Sequence, residues 1–146
     1  MKSGEELLSA RGRRAAGLAL LAGCLGVLSV ASLLQASPDG HGTHTQMGLP
    51  ACSWVQLWNF PCPTCGMTTA FAHAAQGRLL TALGTQPAGL FVALSLGVGF
   101  WAGLHALLTG TRVLEAGLGL LRPRVIAAGL LLFLGGWVYK MITWNG

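Results

Sequence analysis

"PAGLFVALSLGVGFWAGLHALL", residues 87–108, decides how the rest of the chain is read. Its only ionisable group is His105, near its end, and the run has the length of about 20 apolar residues that a helix needs to cross a hydrocarbon core. Proline cannot sit deep in a helix but suits its first turn, so Pro87 makes a natural start. Two other stretches share this character. Ala15 to Leu34, "AAGLALLAGCLGVLSVASLL", carries no charge; Val125 to Trp144, "VIAAGLLLFLGGWVYKMITW", carries Lys140 near enough its end to snorkel into headgroups. Trp137, Tyr139 and Trp144 have the place of interfacial anchors.

The composition agrees with three spans. Only 9% of the 146 residues are charged and 53% are hydrophobic, with a mean hydropathy of +0.61, against roughly 25% charged residues in a soluble domain. The expected fold is an all-α membrane protein: three transmembrane helices, with an amphipathic interfacial helix in the long external loop. The segments are a tail at 1–14, spans at 15–34, 87–108 and 125–144, a cysteine-bearing loop at 35–86, and a basic loop at 109–124.

Short loops rich in Lys and Arg stay cytoplasmic. Lys2, Arg11, Arg13 and Arg14 precede the first span, and Arg112, Arg122 and Arg124 lie between the second and third, whereas the long loop holds only Arg78. The expectation is a cytoplasmic N-terminus and an external cysteine loop. The net charge of +5 then follows from topology. No basic cluster is interleaved with stacking aromatics, so nucleic acid is not an expected partner. "RGRR" before an apolar run has the layout of a signal peptide. The run exceeds the usual length of about 7–15 residues, however, and Leu34 stands where cleavage wants a small residue, so the first span is expected to be retained.

The expected partners are the lipid bilayer and, through glycine-rich helix faces, a membrane-protein partner or a second copy. Gly99 and Gly103 form a GxxxG pair and Gly135 with Gly136 a second close-contact patch; packing among the three spans is the favoured use of both. Cys24, inside the first span, reads as a small buried hydrophobe.

Immediately before the second span lies "FPCPTCGMTT", residues 60–69. Pro63 pre-sets a β-turn over Cys62-Pro63-Thr64-Cys65, and such a turn brings its ends within reach of a disulfide. Gly66 can take the positive φ needed to leave the turn. Thr68 or Thr69 can then cap a helix, on which Phe71, Ala72, Ala75, Leu79 and Leu83 recur as an apolar face, with Thr69, His73, Gln76 and Thr81 supplying much of the polar remainder. Cys65 near that helix start would have a lowered thiol pKa.

With Cys52, the loop holds three cysteines, an odd number. They form one disulfide and leave one thiol, act as a redox set, or bind zinc with His73 as fourth ligand, in preference to His41 or His44. Gly66 occupies the place where c-type haem attachment needs histidine. With Asp39 the only external carboxylate, hydrolytic catalysis is a poor fit, and without an intramembrane carboxylate so is proton pumping.

The run Cys62, Pro63, Cys65, Gly66 and Thr68 resembles the C-P-x-C-G-x-T signature of the bacterial membrane family known as domain of unknown function 2752. The likeness extends to Cys52, Gly77, Gln86 and Pro87. It implies a small multi-pass inner-membrane protein and no particular reaction. Two positions depart from the family pattern: Thr69 stands where arginine is usual and Gln86 where asparagine is usual. The leading expectation is a structural or accessory membrane protein. The alternative is a thiol-redox or metal-binding one that uses Cys52, Cys62 and Cys65.

Overall fold

The computed structural model describes residues 9–117 and 122–144; Lys2 and the 118–121 part of the basic loop lie outside the described residues. All regular structure among them is helical. In chain order come α1 (Ala10–Leu33), a 3-10 turn (Thr43–Met47), α2 (Ser53–Trp58), α3 (Met67–Ala75), α4 (Leu79–Thr85), α5 (Pro87–Thr109), α6 (Val113–Gly117) and α7 (Pro123–Ile142). Helices α1, α5 and α7 are each long and apolar enough to cross a membrane. Pro87 and Pro123 open α5 and α7, where a missing backbone N–H costs nothing.

The main contact of the bundle is α1 against α5, running antiparallel. It is close because glycine lets it be. A Cβ on Gly103 would stand 2.8 Å from the Leu21 amide nitrogen and 2.9 Å from the Gly17 carbonyl oxygen, and one on Gly99 would stand 3.1 Å from Cys24 Sγ. The GxxxG pair is therefore spent inside the chain, on backbone contact that a hydrocarbon solvent cannot drive by the hydrophobic effect. Cys24 is buried there. At one end of this pair Arg13 Nε donates to the Gly110 carbonyl at 2.7 Å, which satisfies one of the last carbonyls of α5.

At the other end lies the long loop, with α3 packed on α1 and α5 and continuing into α4. Gly77, at φ 78°, separates α3 from α4, so the expected interfacial helix is two short ones. Burial here does not sort by polarity: Thr69 and His73 are buried beside Ala70 and Ala72, while Leu79 and Leu83 are exposed. The reason is the solvent: leucine loses nothing by facing lipid, whereas polar groups there need partners inside the protein. Nor does threonine cap α3, since Gly66 at φ 84° holds the N-cap and no side chain bonds there.

Gln86 links this layer to α7. It forms the N-cap of α5, its side chain is fully buried, and both its Oε1 and its Nε2 lack a hydrogen-bond partner. A Cβ on Gly136 would stand 3.1 Å from that Oε1 and 3.0 Å from Ala88 Cβ, so glycine lets α7 approach closely here. A buried amide without partners costs about 1–3 kcal/mol. Gln86→Met keeps the volume and removes the cost; the expected result is a later unfolding midpoint in mild detergent by about 1 kcal/mol or more, and an earlier midpoint would show that the amide is needed.

Candidate functional site

The loop that follows α1 is closed by its own side chains. Gln46 Nε2 donates to the Gln35 carbonyl and Gln46 Oε1 accepts from the Gln35 amide, at 2.6 and 3.0 Å. The adjoining turn is fixed to α3 through a buried contact, Thr43 Oγ1 to Thr69 Oγ1 at 2.8 Å, and Thr43 Oγ1 also accepts from the Ser37 amide. Thr69, which stands where the resembled family usually has arginine, is thus fully buried and holds two loop segments together.

The cysteine turn forms as Pro63 dictates. The Cys65 amide donates to the Cys62 carbonyl at 2.9 Å, and Gly66 then reverses the backbone. A Cβ on Gly66 would stand 2.8 Å from the Gly40 carbonyl oxygen. That same carbonyl accepts from Lys140 Nζ at 3.1 Å.

Lys140 is the residue whose place the sequence did not disclose. Rather than snorkelling outward, it is buried, turned under the cysteine turn with its Nζ 5.8 Å from the Trp144 ring centre. Three other side chains, two from the last turns of α7 and one just past its end, act in the same way. Trp137 Nε1 donates to Pro61, Tyr139 Oη to Gly84 and Trp144 Nε1 to Asn59, each to the backbone carbonyl, at 3.0–3.1 Å. Irregular backbone at the edge of a membrane needs such partners. The expected interfacial anchors are therefore loop clamps. A hint lay in their spacing, since four donors crowd into residues 137–144.

Cys52, Cys62 and Cys65 converge on a cavity of about 690 Å³, together with Asp39, His41 and His44. All three are free thiols, with no pair at disulfide distance. Their environments differ. Burial pushes the Cys65 thiol up to about 11, helped by the neighbouring Cys62 and Cys52; the expectation of an acidified Cys65 is overturned, because burial outweighs the helix start. For Cys52 burial also acts upward, but the backbone at Val55, the Cys62 thiol and the backbone at Trp54 outweigh it, and the net direction is downward. Cys52 is the N-cap residue of α2, although it makes no full capping hydrogen bond. Cys62 Sγ lies 3.4 Å from Thr64 Oγ1.

His73, favoured in the sequence as a fourth zinc ligand, does not line this cavity. It is buried in α3 with Nδ1 unpartnered, and burial followed by Arg78 lowers its pKa. His41 and His44 do line the cavity, each with one ring nitrogen on a backbone carbonyl: His41 Nδ1 donates to Asp39 and His44 Nε2 to Pro50. Among the described residues no group of three or more His, Cys, Asp or Glu is placed to hold a metal ion.

Cysteine positions, glycine turn and the start of α5 form one contiguous segment. Residues 52–100 match the family model described as "Protein of unknown function (DUF2752)". This is the family that the C-P-T-C-G-M-T run resembles. The matched segment begins at Cys52, the first of the three cavity thiols, and ends inside α5, so it spans the cavity thiols and Gln86 but neither α1 nor Lys140. No curated protein and no solved structure matches the chain.

Proposed function

We propose that this is a bacterial inner-membrane protein that exchanges thiols for disulfides on the periplasmic side, with its N-terminus in the cytoplasm. The observation that carries the reading is the meeting of three thiols on one cavity, with Cys52 biased toward thiolate and Cys65 away from it. The thiolate is the attacking species in exchange. Cys52 attacks one sulfur of a partner's disulfide and forms a mixed disulfide, releasing the other sulfur as thiolate. Cys62, beside it, then attacks the Cys52 sulfur, which closes a Cys52–Cys62 disulfide and releases the partner's second thiolate. The partner is reduced by two electrons and the Cys52–Cys62 pair is oxidised by two; the reverse sequence oxidises a partner dithiol. Cys65 stays protonated through both steps.

The test is alkylation of the full-length protein in detergent, mapped by mass spectrometry. At pH 8, Cys52 should react faster than Cys65, because its neighbours favour its thiolate while burial holds Cys65 protonated. Cys65 should become reactive only as pH approaches 11. Equilibration with glutathione should give a Cys52–Cys62 disulfide. Equal labelling of Cys52 and Cys65, or only a Cys62–Cys65 bond, overturns the assignment. Labelling of Cys62 by an impermeant maleimide only after cells are opened overturns the topology.

A second reading, a structural or accessory protein, is favoured by the four side chains in and just past α7 that clamp the loop. It predicts that Cys52→Ser with Cys62→Ser leaves function in cells unchanged.

A further inference from the structure

The thiol cavity has an apolar neighbour. A groove of about 390 Å³ lies between the loop end of α1 and the start of α3, with Val27, Val30, Leu34, Met47, Met67 and Phe71 in its walls. Its α1 wall belongs to a helix apolar enough to cross a membrane, so what enters it comes from the hydrocarbon phase. Met67 and Thr68 line both the groove and the thiol cavity. The two therefore abut at the motif threonine, and the hydroxyl of Thr68 makes no hydrogen bond to any described residue. A ligand that fills both spaces has an apolar tail and a compact polar head that meets Thr68 and the thiols.

Chemistry narrows the head. Regenerating a disulfide from the Cys52 and Cys62 thiols releases two electrons and two protons, which an oxidant must take up. An acceptor reaching the cavity through this groove must dissolve in lipid, take up two electrons with two protons, and present an oxygen that a hydroxyl can hydrogen-bond.

We propose that the groove binds the tail of a membrane benzoquinone, whose ring takes the electrons from Cys52 and Cys62. Two S–H bonds break and one S–S bond forms, while the two quinone carbonyl oxygens each gain a proton and the ring gains the electron pair, giving the hydroquinone. Thr68 donates to one quinone oxygen. The inference rests on the thiol-exchange reading and gives it a direction: the protein oxidises partner thiols and passes the electrons to the membrane.

The experiment uses the reduced full-length protein in lipid nanodiscs. A benzoquinone with a ten-carbon alkyl tail is added, and quinone loss by ultraviolet absorbance is followed beside the Cys52–Cys62 disulfide by mass spectrometry. The expected result is one quinone reduced for each disulfide formed. Gly26 lines the groove, and a Cβ there meets nothing within 4 Å, so Gly26→Leu adds bulk on the groove side of α1 with no clash at its Cβ. It should slow the reaction by about tenfold or more, the equivalent of ~1.4 kcal/mol, while exchange with oxidised glutathione stays at the parent rate. Gly23→Leu, also in open space but outside the groove, should match the parent.

Exchange with glutathione but no quinone reduction overturns the quinone site and leaves the exchange reading standing. Absence of both overturns both. Equal rates for Gly26→Leu and the parent show that the groove holds only lipid acyl chains, and overturn it as the route.

Discussion

Gly66→Ala should destabilise the protein by about 2–5 kcal/mol and expose Cys65 to alkylation. Two costs add at this residue. Its φ of 84° lies in the left-handed region, where an L side chain costs roughly 1–2 kcal/mol. The new Cβ would also stand 2.8 Å from the Gly40 carbonyl oxygen, and overpacking of this kind costs typically about 1–3 kcal/mol. The obstacle is backbone, and that carbonyl is already fixed by Lys140, so relaxation in one direction loses a buried hydrogen bond. Gly77→Ala separates the two costs, because Gly77 also has a positive φ, 78°, but meets nothing within 4 Å. It should show the backbone part alone and leave Cys65 protected. Unfolding midpoints in a graded detergent series, read beside maleimide labelling at pH 8, measure both. A Gly66→Ala protein as stable as Gly77→Ala would refute the close approach to Gly40.

Gly103→Val should part α1 from α5. Its Cβ would meet Leu21 N at 2.8 Å, Gly17 O at 2.9 Å and Leu21 Cα at 3.2 Å, all main-chain atoms. No rotamer relieves such a contact, so the helices must separate along their main interface. In lipid that interface is held by van der Waals packing, which falls away within an ångström of separation. The expected loss is about 3 kcal/mol or more, seen as an earlier unfolding midpoint and as Cys24 becoming alkylated. Gly97→Val is the control, since Gly97 has open space around its Cβ and should stay close to the parent. If both variants unfold together, the contact is not the one that holds the pair.

The alkylation of the cavity thiols and the filling of the groove depend on these two contacts. Gly66 holds the turn that buries Cys65, and α1, held against α5, supplies one wall of the groove. Both variants therefore also serve as structural controls for the thiol and quinone experiments.

Helix content and span placement were legible because they depend on local quantities. An uninterrupted apolar run, a proline at its start and a glycine at its end fix where a helix can lie. The β-turn at Pro63 and the positive φ of Gly66 were legible for the same reason: each follows from one residue's own geometry. The direction in which α3 faces was not. An amphipathic pattern says that two faces differ, but with lipid on one side and protein on the other it does not say which is hidden, and Thr69 and His73 went inward beside Ala70 and Ala72.

What the sequence by itself determined is an all-helical chain with three membrane-length helices and a glycine-led cysteine turn ahead of the second, since composition and backbone stereochemistry act over a few residues. What only the tertiary structure decided is the environment of each thiol and the role of the last helix. Cys65 is pushed up by burial among residues far along the chain, Cys52 is drawn down by neighbours that include Cys62, and Lys140 reaches the Gly40 carbonyl a hundred residues away. Burial and hydrogen-bond partners are sums over neighbours in space, and the order of residues along a chain does not contain them until the chain has folded.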